Sequence, residues 1–166
     1  MRPLADSALE GRANPKGIPC LYVATDKETA MSEVRPWLGG IISIGQFKVV
    51  RDLKVLDFSV EHGSNHNSGL YFREPTNEEI LNAVWRDIDN AFSEPTQASD
   101  SKSDYAPTQI ISEYIKSQGY DGIAYKSSLA EGHNLALFDL ESAEVVKRSI
   151  YKASTIKFEF EHVQEY

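Results

Sequence analysis

The sequence has one cysteine, no long apolar run and no excess of positive charge. Cys20 is alone among 166 residues, which excludes an intramolecular disulfide and a cysteine cage around a metal ion, and we expect it to be a small buried apolar side chain. No segment approaches the roughly 18 apolar residues of a membrane span, and the N-terminal residues lack the apolar block of a signal peptide. We therefore expect a cytoplasmic protein with no membrane association.

The charge balance is acidic. Seventeen Lys and Arg residues stand against 25 Asp and Glu residues, which gives a formal net charge of −8. Phosphate backbones and anionic lipid surfaces repel such a chain, so general nucleic-acid binding is disfavoured. Apolar residues make up 41% of the chain, enough to build a core and to exclude wholesale disorder. The length predicts a single domain over residues 1–166.

Hydrophobic patterning predicts strands towards both ends of the chain and helices between them. Strands are predicted at residues 18–24, 41–50, 54–58, 122–125, 134–138, 143–150 and 155–160, the second and third as neighbours. Helices are predicted from an N-cap at Thr25 or Asp26 to Val34, from the capping box of Thr76 and Glu79 to Pro95, and from Pro107 to Gly119. Because strands and helices do not alternate regularly, the fold class is α+β with a largely antiparallel sheet.

Two polar stretches, residues 59–69 and 96–104, are predicted to be loops. They flank the central helix, so residues 60–103 form an insertion or a lid with one helix. Trp37 and Trp85 are expected in the core, although an exposed Trp37 would mark an interface.

Several polar side chains stand at positions that suit a binding site. Arg12 lies in an irregular loop before the first strand, where a guanidinium can hold a phosphate or a carboxylate. Glu33 falls beside the apolar stripe of the first helix, where a carboxylate is costly unless Arg12 or Arg35 pairs with it or it serves a site. Ser127 follows a predicted strand and Asn134 begins the next, positions that also suit ordinary turn hydrogen bonds.

Other chemistries have weak support. A Ser-His-Asp hydrolase is disfavoured, because the nucleophile motif Gly-x-Ser-x-Gly is absent. His62 and His66 lie four residues apart, but in a Ser- and Asn-rich loop that is a poor metal site. The sequence also lacks zinc and Walker spacings, so no metal site is predicted.

Three ordered motifs resemble the RES-domain family, named for its Arg, Glu and Ser. The first is R-x-N-P-x-G-I-P-x-L-Y-x-A at residues 12–24, and the second is T-A-x-x-E-V-R-P at residues 29–36. The third is a block over residues 104–138 that includes G-Y-D-G-I-A-Y-K-S-S and G-H-N. Characterised members are NAD-degrading toxins of bacterial toxin–antitoxin systems. The resemblance implies a fold similar to ADP-ribosyltransferases, with split, largely antiparallel sheets and a few helices around an NAD cleft.

The resemblance also implies roles for individual residues. Glu33 would be the catalytic carboxylate, Arg12 would grip the phosphates of NAD, Tyr22 would stack against or orient the nicotinamide side, and Ser127 would bond near the nicotinamide ribose. Further NAD-binding residues would be Ser128 beside Ser127, and Asn134, which would contact the ribose or support a residue that does. Tyr105 and Gln109 would line or brace the cleft. NAD is the expected substrate, and no metal is needed.

Three activities remain compatible with such a site. The first is hydrolysis or phosphorolysis of the nicotinamide–ribose bond by a toxin, and the second is transfer of ADP-ribose to a protein or nucleic acid. A non-catalytic nucleotide-binding module is the third. The resemblance further implies a separate antitoxin protein as a partner, and it leaves a homo-oligomer open.

Overall fold

The computed structural model describes residues 7–61, 74–94 and 105–156, and within these ranges six strands and three helices are present. The strands are β1 (Leu21–Ala24), β2 (Ile41–Val49), β3 (Val55–Asp57), β4 (Gly122–Lys126), β5 (His133–Leu137) and β6 (Ala143–Lys152), and the helices are α1 (Lys27–Glu33), α2 (Asn77–Ser93) and α3 (Ala106–Ser117). Short 3-10 helices at Ser59–Glu61 and Leu140–Ser142 complete the set. The α+β fold class is therefore confirmed.

The strands form two sheets. In the larger sheet the order is β1-β5-β4-β3, with antiparallel pairs except for the parallel pair of β3 and β4. The smaller sheet is the antiparallel pair of β2 and β6, with a register shift between Gln46 and Phe47. We call this pair the β2–β6 ribbon.

The predicted pairing of residues 41–50 with residues 54–58 is wrong. The two segments form β2 and β3, and these belong to different sheets. A corner at Arg51 separates them, where the guanidinium bonds to the Asp121 carboxylate at 2.7 Å and the Lys54 backbone N–H donates to the same carboxylate. A parallel pair needs a long crossover, and the segment that carries α2 and α3 connects β3 to β4.

Apolar side chains pack on both faces of the larger sheet. One cluster joins Phe92 of α2 and Ile115 of α3 to Ile123 and Ala136 of the sheet. The other joins Leu21 and Leu137 to Phe47 of the ribbon. The larger sheet is thus the middle layer between the helices and the ribbon, and four of the five residues of β4 are buried.

The helix ends follow the predicted chemistry. Asp26 caps α1, and the predicted capping box of Thr76 and Glu79 opens α2. A proline lies in the first turn of α3, and Gly119 follows that helix with φ of +79°. Such a φ favours glycine, which explains why the helix stops there.

Some predictions on burial and extent are corrected or not covered. Cys20 is buried, as predicted, but Trp37 is 84% exposed, because it lies in a turn that the Gly40 backbone N–H closes onto the Trp37 carbonyl. Trp85 is 37% exposed and so lies outside the core, although its ring packs on Phe58 with 5.5 Å between ring centroids. Residues 153–156 form no strand, while residues 157–160, both loop histidines His62 and His66, and residues 96–104 lie outside the described ranges. No helix in the described ranges is long and apolar enough to cross a membrane.

Candidate functional site

Strand register places three polar or aromatic side chains on one face of the larger sheet. Asn134 of β5 pairs with Ala24 of β1 on one side and with Tyr125 of β4 on the other. Because side chains alternate along a strand, Tyr22 lies on the same face, two residues before Ala24. Ser127 follows Tyr125 by two residues, just past the end of β4. This edge of the sheet therefore gathers polar groups that the sequence separates by about a hundred residues.

Helix α1 brings a carboxylate to that edge. Glu33 is the last residue of α1, and its Oε1 accepts hydrogen bonds from Ser127 Oγ at 2.7 Å and from Asn134 Nδ2 at 2.6 Å. Both donors belong to residues that are less than 10% exposed. Sequence reasoning allowed Arg12 or Arg35 as the partner of Glu33, but among the described residues no cation pairs with it. Two neutral donors hold the carboxylate and leave its charge uncompensated.

A cavity of about 310 Å³ opens beside this carboxylate. Its walls come from β1, α1, β4 and β5, and its lining residues are Tyr22, Val23, Ala24, Ala30, Glu33, Val34, Tyr125 and Asn134. Glu33 Oε2 accepts no hydrogen bond from the described residues. The predicted apolar stripe of α1 needs a correction here, because Val34 is exposed and lines the cavity while Thr29 is the buried residue of the helix.

The hairpin between β4 and β5 is fastened to the start of α1. Thr29 Oγ1 accepts the Gly132 backbone N–H at 3.1 Å, and Thr25 Oγ1 accepts the His133 backbone N–H at 3.0 Å. Gly132 is buried, and an added Cβ would overlap the Asp26 carboxylate and the Thr29 hydroxyl. We call these contacts between α1 and the hairpin the clamp. The clamp fixes the distance between Glu33 on the helix and its two donors on the hairpin.

Tyr22 is held by its hydroxyl and presents its ring. The hydroxyl donates to Asn14 Oδ1 at 2.7 Å and accepts the Ala13 backbone N–H at 2.9 Å. Gly11 lies so close that a Cβ there would be 2.6 Å from the hydroxyl oxygen. Burial raises the pKa of Tyr22. With the hydroxyl enclosed by the loop, the ring of this 41% exposed residue is the part available to a ligand.

The loop that carries Arg12 is built around the buried Asn14. Asn14 Nδ2 donates to the carbonyls of Leu9 and Ile18, each at 2.8 Å. Gln109 of α3 braces the loop from outside, because its amide donates to the carbonyls of Gly11 and Asn14 at 3.0 and 3.1 Å. Bracing the cleft is one of the roles predicted for Gln109.

Arg12 is half-buried, and its guanidinium donates to the Phe92 carbonyl at the end of α2. It borders neither the Glu33 cavity nor a second cavity that lies between α1 and the β2–β6 ribbon. Ser128 is exposed, and Tyr105 stands at the start of α3 with its carbonyl bonded to Thr108 Oγ1. Neither Ser128 nor Tyr105 lines either cavity, and their predicted contacts with NAD stay predictions.

Tyr125 is a cavity residue that the sequence analysis did not select. It is 5% exposed, packs on Phe92 with 5.6 Å between ring centroids, and makes no hydrogen bond through its hydroxyl within the described residues. Burial raises the pKa of Tyr125, the charge of Arg12 opposes this, and the charge of Glu33 adds to it. The hydroxyl is therefore a protonated donor at neutral pH. Its position two residues before Ser127 was the available signal.

The described residues contain no group of three His, Cys, Asp or Glu side chains that could hold a metal ion. Cys20 donates from its thiol to the Leu137 carbonyl at 3.2 Å, and burial raises its pKa to about 12. A thiol with such a pKa is not a nucleophile at neutral pH. The chemistry of the site therefore depends on Glu33 and the hydroxyl and amide groups around it.

Comparison with known proteins adds one finding. A family model described as RES domain matches residues 2–161, essentially the whole chain. No curated protein and no solved structure gives a significant match.

Proposed function

Because the chain belongs to the RES-domain family, we propose that it consumes NAD by breaking the bond between nicotinamide and ribose. The observation that carries this proposal is the carboxylate of Glu33, which Ser127 and Asn134 hold at the wall of a cavity.

Glu33 supplies the negative charge that this reaction needs. As the neutral nicotinamide leaves, positive charge develops on the ribose, and a fixed carboxylate lowers the energy of that charge. The two hydrogen bonds to Oε1 set the orientation of the carboxylate before the substrate arrives. Oε2 can then bond a ribose hydroxyl or orient the attacking water or phosphate. Water as the acceptor gives hydrolysis, and phosphate gives phosphorolysis.

The aromatic residues of the cavity hold the leaving group and the ribose. The Tyr22 ring, fixed through its hydroxyl, offers a flat surface for nicotinamide. The Tyr125 hydroxyl donates to an oxygen of the substrate, because burial keeps it protonated. Arg12 retains free N–H donors after bonding to the Phe92 carbonyl, and it supplies charge for the phosphate nearest the nicotinamide ribose.

Depletion of NAD by this activity would arrest growth, and the protein then acts as a toxin. A cognate antitoxin protein is the partner that such an activity requires in its own cell. Both statements rest on the family and are part of the proposal.

The test is release of free nicotinamide from NAD by the purified protein, with and without inorganic phosphate. We expect release from the wild type and at least about 100-fold less from Glu33→Ala and Glu33→Gln, the size of loss typical for one group that stabilises transition-state charge. Glu113→Gln is the matched control, because Glu113 is exposed on α3 and lines neither cavity.

The outcomes separate the candidate reactions. A requirement for phosphate identifies a phosphorylase, and release without phosphate identifies a hydrolase. Label that moves from NAD onto a protein or nucleic acid identifies ADP-ribosyl transfer instead. If folded wild-type protein releases no nicotinamide, or if Glu33→Ala still arrests growth, the proposed activity is wrong.

A further inference from the structure

A second, larger cavity lies beside the Glu33 cavity. It is a groove of about 550 Å³, and we call it the ribbon groove. One wall is formed by α1 and the end of β1, and the other by the β2–β6 ribbon. The two cavities share the lining residues Tyr22, Val23, Ala24, Ala30 and Val34. The two cavities are therefore adjacent along β1 and α1. The volume of the ribbon groove lies within the range of roughly 300–1,000 Å³ that is typical of ligand-binding sites.

The ribbon supplies this groove with two kinds of surface. From β2 come the half-buried apolar side chains of Ile42, Ile44 and Phe47. From β6 come Lys147, Ser149 and Tyr151, which alternate along the strand and so project to the same side. The register pairs Tyr151 with Ile42 and Ser149 with Ile44, so apolar and polar side chains lie next to each other across the ribbon.

The charge of the groove differs from that of the whole protein. Lys147 and Lys27 line it, and Lys147 has no ion-pair partner among the described residues. Lys27 contacts Glu28 at 3.3 Å and lies 5.8 Å from the centre of the Tyr151 ring. Asp26 is the acidic lining residue, and both its oxygens accept hydrogen bonds from Thr25 and Thr29. Two cations thus face one capped carboxylate in a chain of net charge −8.

We propose that the ribbon groove binds the adenosine diphosphate part of NAD, with Lys147 and Lys27 on its phosphates and the β2 side chains on its base. This inference rests on the proposed function and extends it, because it assigns the half of the substrate that does not react. Lys147 and Lys27 are the lysines that line this groove, and they would add to the charge that Arg12 supplies to the diphosphate. A flat purine fits the apolar wall, and the hydroxyls of Ser149 and Tyr151 offer partners to the adenosine ribose.

Binding held at a distance from the reacting bond has a kinetic signature. Contacts to the adenosine diphosphate part position the ribose beside Glu33, so their loss raises KM and leaves the carboxylate itself intact. A ligand that contains this part alone should bind without nicotinamide. ADP is therefore the probe.

The experiment measures the affinity of ADP by titration calorimetry for the full chain and its variants. Lys147→Glu and the milder Lys147→Ala test the groove. Lys152→Glu is the matched control, because it makes the same charge change on the same strand and does not line the groove. Circular dichroism verifies that each variant is folded.

We expect ADP to bind the wild type. Lys147→Glu should weaken binding at least about tenfold, Lys147→Ala should weaken it less, and Lys152→Glu should change it less than about twofold. Absence of ADP binding to the wild type overturns the proposal. Equal losses in Lys147→Glu and Lys152→Glu also overturn it, because they indicate a general effect of charge.

The assay separates this inference from the proposed function. If ADP binds in a Lys147-dependent manner but no nicotinamide is released from NAD, the groove assignment stands and the reaction is wrong. If nicotinamide is released in a Glu33-dependent manner but substitution of Lys147 does not change the affinity for ADP, the reaction stands and the groove assignment is wrong.

Discussion

At the scale of single residues, the asymmetric hydrogen bonding of the Glu33 carboxylate is the most important feature of this site. Both bonds from the hairpin go to Oε1, so one oxygen orients the side chain and the other remains for the substrate. A cation in the same place would orient the carboxylate equally well, but it would neutralise the charge that the reaction needs. Neutral donors from a serine and an asparagine avoid that loss.

Removal of either donor should reduce turnover without removing the carboxylate. We expect Ser127→Ala and Asn134→Ala each to lower the kcat for nicotinamide release about 10- to 100-fold, the value of one hydrogen bond to a charged group. Because both donors hold the same oxygen, the double variant should lose less than the product of the two single effects.

Steady-state kinetics of the two single variants and the double variant test this expectation. Ser117→Ala is the control, since that exposed serine ends α3, donates to the Tyr114 carbonyl and accepts from the Gln118 amide, away from the site. Full activity in Ser127→Ala would show that Glu33 does not depend on the hairpin for its orientation.

Residue patterns predicted this arrangement in part. Glu33 was suspect because a carboxylate beside an apolar stripe needs a reason to be there. Arg12 and Arg35 were the expected partners because opposite charge is the usual solution, and only tertiary contacts show that Ser127 and Asn134 take that place. Tyr125 was missed because a tyrosine in an apolar strand reads as core, and its hydroxyl is distinguished only by the cavity that it faces.

At the level of elements, the site depends on how α1 meets the β4–β5 hairpin. The hairpin loop packs its glycine, Gly132, against the first turn of the helix, where any side chain would collide with Asp26 and Thr29. Thr29 contributes doubly, because its hydroxyl donates to Asp26 and accepts from Gly132. The helix and the hairpin therefore act as a single unit in positioning Glu33.

Gly132→Ala should separate the two elements. We expect a loss of about 1–3 kcal/mol in the free energy of unfolding, typical of overpacking a buried position, and a fall in nicotinamide release as Glu33 loses its donors. Chemical denaturation and kinetics of the same preparation measure both effects. The neighbouring variant Glu131→Ala, which shortens an exposed side chain, should leave both quantities unchanged. Wild-type activity in Gly132→Ala would show that the packing of the hairpin against α1 does not position Glu33.

The elements themselves were more predictable than their pairing. Caps, a capping box and a glycine with positive φ located the three helices to within a few residues, because these signals are local. The partners of β2 and β3 were not local, since a strand sequence specifies its faces but not its neighbour. Proximity in the chain favoured a hairpin, and the corner at Arg51 sends β3 to the other sheet instead.

At the level of the whole molecule, one polar cluster ties the corner to both ends of the β4–β5 pair. The Arg51 guanidinium contacts Asp121 before β4 at 2.7 Å and Asp139 after β5 at 3.5 Å. The hydrogen bond from Arg51, together with the Lys54 backbone N–H, holds the pKa of Asp121 below its ordinary value. These contacts lie at the surface, so they orient the chain at the corner more than they stabilise it.

The lowered pKa of Asp121 gives the stability a defined pH dependence. Asp121 contributes its full stabilisation above the pKa of an unfolded aspartate, about 3.9, and loses it as the pH falls through the lower folded-state value. The Tm difference between the wild type and Asp121→Asn should therefore be constant near neutral pH and shrink below about pH 4. Thermal melts from pH 3 to pH 7 test this. Asp87→Asn, on the exposed side of α2, is the control, and a gap that stays constant to pH 3 would refute the expectation.

The order in which the chain is synthesised has a consequence for when this site can assemble. Glu33 is made first, and its two donors follow 94 and 101 residues later. In the described part of the chain β1 pairs only with β5, so the sheet that carries Tyr22 cannot close until β5 has left the ribosome. A nascent chain therefore carries Arg12, Tyr22 and Glu33 without an assembled site. The site can form only after most of the chain has left the ribosome.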